Sequence, residues 1–142
     1  MGDKMRKEKL ITISSGRDEG KKFKIREMGA VKTEKWATRA LMLLAGSNID
    51  LGVEKDQLKG VEGWSNIAKA GLNKLAELDY EKIEPLLEDL LNCCYFITGN
   101  VETQLTSSNA DTIIEDISTL FRLKQEAFGV HFDFFQKESL AK

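Results

Sequence analysis

The residues of this chain nearest to a nucleophile and a base are two adjacent cysteines, Cys93 and Cys94, and a single histidine, His131. A thiolate nucleophile needs a base within hydrogen-bond reach, and a lone imidazole needs a partner to hold its tautomer. Nothing near either group in sequence supplies one. Adjacent cysteines do not match zinc spacing and rarely join to each other, so two buried, reduced thiols are the expectation. Glu81, Glu84, Glu88 and Asp89 offer four carboxylates on one stretch. No Glu-x-x-His pair accompanies them, and His131 has only Asp133 as a nearby acid, so a solvated helix face is expected rather than a metal site. The glycines form neither a dinucleotide fingerprint nor a phosphate-cradling loop. The sequence thus leads to no enzyme, with no catalytic residue, cofactor or metal.

Residues that do no chemistry must bind or build. The chain has 142 residues, 42% of them hydrophobic, with one proline. That is enough to close a core without disulfides, and a single domain over 1–142 is expected. Charges interrupt every apolar run, so no membrane span is expected, and the basic start MGDKMRKEKLITISS lacks the apolar stretch of an export signal. A cytoplasmic protein follows. Residues 1–40 hold twelve Lys/Arg against six Asp/Glu, and the remainder nine against seventeen. A basic head on an acidic body suits head-to-tail self-association or simply two solvated faces. It disfavours nucleic acid, because the body would repel phosphate.

Ile11 and Ile13 alternate with polar residues, as do Phe23 and Ile25, and Gly16 and Gly20 bracket the turn between them. The pattern predicts a hairpin over 10–27. Helix one starts between Ala30 and Thr33, carries Trp36, Ala37, Ala40, Leu41, Leu43 and Leu44, and stops at Gly46. After a connection over 46–60, helix two is expected from Val61 to Leu78, with Trp64, Ile67 and Leu72 on one face. Asp79 is placed to cap helix three, which takes in Ile83, Leu86, Leu87, Leu90, Leu91, Cys94 and Ile97 at helical spacing. Residues 98–109 read as a loop. Ser108-x-x-Asp111 has the capping-box pattern before a fourth helix running from Ile113 towards Phe135. The expected fold is mostly α, about four helices with a small N-terminal β-hairpin and a helical body over 30–136.

The C-terminal segment is rich in aromatics: Phe128, His131, Phe132, Phe134 and Phe135. One helix face can bury Phe121, Phe128, Phe132 and Phe135 together, with Phe134 about a third of a turn away. The segment is either core or a patch that takes a partner's apolar helix, and its five residues are the candidate partner-binding site.

Two stretches carry a family likeness. The first is Arg17-Asp18-x-Gly20-Lys21, then Phe23-x-Ile25, Glu27-Met28 and Glu34-x-Trp36-Ala37-x-Arg39-Ala40-Leu41. The second is Leu120-x-x-Leu123-x-x-Glu126-x-Phe128-x-x-His131-x-x-Phe134-Phe135. In order and separation they resemble the tail assembly chaperones of long-tailed bacteriophages. Gly29 departs from the family, which often has proline before the helix. The resemblance implies a non-enzymatic chaperone that coats the tape measure protein and helps recruit tail tube subunits. It also implies self-association, a place in the host cell cytoplasm, and departure before the virion matures. A generic helical adaptor and a minor structural tail component are the alternatives. A small enzyme using Cys93 or Cys94 with His131 is a further rival, which rapid thiol labelling of the folded protein would favour.

Overall fold

The first two strands form where Ile11 and Ile13, and then Phe23 and Ile25, alternate with polar residues and face inward. The computed structural model describes residues 6–47, 74–75 and 77–141, with side chains described as far as Phe132. Strands β1 (Glu8–Thr12), β2 (Lys22–Arg26), β3 (Cys94–Thr98) and β4 (Val101–Gln104) form one antiparallel sheet in the order β1-β2-β3-β4. Four helices join them among the described residues: α1 (Ala30–Ala45), α2 (Tyr80–Leu91), α3 (Ser107–Ile113) and α4 (Ile117–Ala141). The fold is therefore mixed α and β, which corrects the mostly-α expectation. The chain divides into two compact units, one of residues 1–28 and 87–130, the other of residues 29–86 and 131–142.

The correction lies in residues 94–104. Leu87, Leu90, Leu91, Cys94 and Ile97 do share a helical face, which is why a helix through Ile97 was expected. Yet α2 stops at Leu91, where the N–H groups of Asn92 and Cys93 bond back to the carbonyls of Glu88 and Leu90. From Cys94 the chain reads Cys-Tyr-Phe-Ile-Thr, a run that favours a pleated, half-buried surface. Gly99 and Asn100 then make a two-residue turn, with Gly99 at φ +60°. A glycine with positive φ at the first central position is what a type II′ hairpin requires. The deciding interaction is remote. Phe96 stands opposite Phe23 on β2 with ring centroids 5.5 Å apart, and the Arg26 N–H bonds to the Cys93 carbonyl at 2.9 Å. Helical period cannot see a partner strand some seventy residues away in sequence. The N-terminal hairpin is accordingly half of a larger sheet.

One sheet face holds Ile11, Phe23, Ile25 and Cys94, all buried. Helix α4 lies along that side: the Cys94 thiol reaches the Leu123 carbonyl at 3.7 Å, and Lys9 Nζ meets Glu126 at 2.6 Å. The opposite face is ionic. Arg26 bonds Glu8 at 2.6 Å and Glu102 at 3.4 Å, and Lys24 bonds Glu102. The Arg26 guanidinium also stacks over Tyr95 at 5.0 Å.

In the second unit α1 buries Trp36, Ala37, Ala40, Leu41 and Leu44 and ends at Gly46. Trp36 Nε1–H donates to the Leu86 carbonyl at 3.0 Å, and its ring lies 5.7 Å from that of Phe132. Gly29 has φ −63°, the value a proline ring fixes, so glycine here keeps the same backbone path into α1. The Asp79 carbonyl accepts from the Lys82 and Ile83 N–H groups at the start of α2. The expected helix over 61–78, with Trp64, lies largely outside the described residues.

Candidate functional site

The turn between β1 and β2 is heavily bonded to the first unit. Gly16 (φ +84°) and Gly20 (φ +90°) let the chain reverse tightly enough to hold Asp18 inward. Asp18 is fully buried. Its carboxylate accepts from the N–H groups of Glu115 and Asp116, each at 2.9 Å, from Thr119 Oγ1–H at 2.7 Å and from Lys21 Nζ at 2.9 Å. The Glu115 and Asp116 amides and the Thr119 hydroxyl stand at the N-terminus of α4, where partial positive charge favours an anion. Burial opposes the charged form of Asp18. The bonds from Lys21, the two amides and Thr119 outweigh it and hold the carboxyl well below the usual carboxylate range.

The neighbours of Asp18 complete the clamp. The Arg17 N–H and Nε–H both donate to the Asp116 carboxylate, at 2.8 and 2.7 Å, while its Nη2 donates to the Glu115 carbonyl. Lys21 Nζ donates to the Ile113 carbonyl at 2.6 Å. A Cβ on Gly16 would lie 2.6 Å from Asp116 Oδ2, so the close approach depends on glycine. The residues Arg17, Asp18, Gly20 and Lys21, which carried the family likeness, are thus the fastener between the first hairpin and the α3–α4 break.

That break replaces the single fourth helix expected from sequence. Helix α3 ends at Ile113, Ile114 is extended with its side chain buried, and α4 starts at Ile117. The capping box is made by Thr106 and Asn109, two residues before the expected Ser108 and Asp111. Ser107 and Ser108 instead open the helix, and the Ser107 hydroxyl bonds the Glu88 carboxylate of α2.

Of the candidate partner-binding residues, Phe128, His131 and Phe132 are buried, and the rings of His131 and Phe132 lie 6.4 Å apart. The side chains of Phe134 and Phe135 lie outside the described residues. Among the described side chains of α4, the exposed aromatic is Phe121, at 63%, which sequence had grouped with the buried phenylalanines. Ile117, one turn earlier, is 67% exposed. The available signal was local charge: residues 117–125 (ISTLFRLKQ) hold Arg122 and Lys124 and no acid, within a strongly acidic body.

Cys93 and Cys94 are buried, and burial pushes the Cys94 thiol far above the ordinary cysteine range. The expected result with a thiol reagent is slow labelling of both cysteines in native protein and rapid labelling in denaturant. Fast native labelling of either would revive a nucleophilic role. Among the described residues no group of His, Cys, Asp and Glu could hold a metal ion, and no helix is long and apolar enough to cross a membrane.

The sequence profile of a family described as phage tail assembly chaperone protein, TAC, matches residues 19–141. No curated protein and no solved structure gives a significant match.

Proposed function

This chain belongs to the phage tail assembly chaperone family, and on that premise we propose that it coats the tape measure protein and helps recruit tail tube subunits. The observation that carries the reading is the family match across residues 19–141, which takes in the α1 segment, most of the sheet and all of α4. The reading is of a non-enzymatic chaperone, acting as a homo-oligomer in the host cell cytoplasm and absent from the finished particle. A long tape measure protein exposes apolar helical stripes, and many copies of a small charged protein can cover them through weak, repeated contacts. Each contact stays releasable, so tube subunits can displace the coat without a nucleotide. Within the aromatic segment, Phe134 and Phe135 are the contacts this reading favours, because Phe128, His131 and Phe132 are buried.

The test is co-expression with the tape measure protein encoded nearby, followed by a pull-down from the soluble fraction. The tape measure protein should become soluble and come down with several copies of this chain. A tape measure protein that stays insoluble and unbound while this chain folds would remove the reading.

A further inference from the structure

Helix α4 has two apolar faces. Thr119, Leu123, Ala127 and Val130 lie on one, and all four are buried. At 100° per residue, Ile117, Phe121, Phe128 and Phe132 fall on a second, well separated from the first. That second face changes state along its length. Phe128 and Phe132 are buried, and Phe132 is covered by the Trp36 ring of α1. Ile117 and Phe121 are open.

We propose that Ile117 and Phe121, with Lys124 and Arg122 at their edges, form a docking surface for a partner's amphipathic helix whose apolar stripe is bordered by Asp and Glu. Three observations converge on that occupant. Residues four apart on a helix present one continuous strip, which suits an apolar pair on another helix. Lys124 borders the strip on one side and Ser118, Arg122 and Gln125 on the other, so the rim is cationic although the chain as a whole carries −2. Arg122 meets Glu126 only at 3.8 Å, and Asp116, the nearest acid at the helix start, is already taken by Arg17. The strip is also held still. Thr119, between its two apolar members, is bonded to Asp18, and Asp116 beside it is fixed by Arg17. A partner therefore meets a first turn that is already ordered. Among the described residues, the other exposed large apolar side chains on helices are Val31 and Met42 on α1, about three turns apart with Lys35 and Thr38 between them, and Tyr80 at the start of α2, whose hydroxyl bonds Glu84; none offers such a strip.

This inference rests on the chaperone reading only for the identity of the partner, so the test uses defined peptides. Two helical peptides share one leucine stripe, flanked in one by Glu and in the other by Lys, and their binding to the full chain is followed by fluorescence anisotropy. The Glu-flanked peptide should bind about tenfold more tightly than the Lys-flanked one. Phe121→Ser should weaken it roughly thirtyfold, the loss expected for a central aromatic anchor. Its circular dichroism and unfolding curve should be unchanged, because the ring is exposed. Exchanging Arg122→Glu together with Lys124→Glu should reverse the preference between the peptides. No difference between the peptides, or equal binding by Phe121→Ser, overturns the surface. So does a concentration-dependent dimer of the wild type that Phe121→Ser abolishes, since a second copy would then be the occupant. Tape measure capture that survives alongside a negative peptide result leaves the chaperone reading standing and removes only the surface. Peptide binding as expected without tape measure capture does the reverse.

Discussion

Asp18→Ala is expected to destabilise the protein by about 3–5 kcal/mol, the usual cost of removing one member of a buried charged network. The substitution strands the Glu115 and Asp116 amides, the Thr119 hydroxyl and the Lys21 ammonium, which all now point at one carboxylate. Urea unfolding followed by circular dichroism measures the loss, and a change below about 1 kcal/mol would mean water replaces the carboxylate without difficulty. Asp18→Asn separates charge from shape. It keeps one acceptor but turns an amine towards groups that are themselves donors, so it should recover little. The same pair gives a pH test. The folded-state carboxyl titrates below its unfolded value. Its contribution is therefore complete above the unfolded pKa of about 3.9 and disappears as pH falls towards the folded value. The stability gap between wild type and Asp18→Asn should be constant from about pH 5 to 7 and should narrow below about pH 4.

Trp36→Ala is the second large effect, also expected at about 3–5 kcal/mol. The indole is buried on α1, stacks near Phe132 and supplies the N–H bound by the Leu86 carbonyl. Trp36→Phe keeps most of the volume and loses the hydrogen bond. It should cost about 1–2 kcal/mol, mostly through the carbonyl left without that donor. Thermal unfolding of both variants checks the order. Equal losses would place the whole effect in the hydrogen bond, and a negligible loss for Trp36→Ala would show that the second unit does not depend on this ring.

What could be read from the sequence was local. The stripe of Trp36, Ala37, Ala40, Leu41 and Leu44 lies within sixteen residues, and its period alone indicates the buried face of α1. The first hairpin is likewise a matter of alternation and two glycines. The second hairpin was hidden because Cys94 and Ile97 continue the helical period of Leu87, Leu90 and Leu91, although in the strand they face opposite sides of the sheet. Phe23, which decides between them, is a distant residue. Asp18 was hidden for the same reason. In sequence it is one acid in a polar turn, while three of the groups that define it lie about a hundred residues further on. The Thr106 cap was displaced by a competing pattern, since Ser108-x-x-Asp111 fits the same rule two residues later. For the candidate site, the crowd of phenylalanines drew attention to 128–135, but crowding marks a core as readily as a surface. The acid-free run around Phe121 carried more information about exposure.

The order of the strands also sets an order of events. Strands β1 and β2 are neighbours in sequence, as are β3 and β4, so each hairpin can close within microseconds of its own synthesis. The β2–β3 pairing has to bring Ile25 back to Cys94, a loop whose closure entropy is on the order of 4 kcal/mol before any contact returns it. The Asp18 bonds come later still, because Thr119 must have left the ribosome. Until then the nascent chain presents the Phe23 face of a half-built sheet with nothing over it. A member of a tail assembly chaperone family is thus, for the time it takes to translate about ninety residues, an unguarded apolar surface itself.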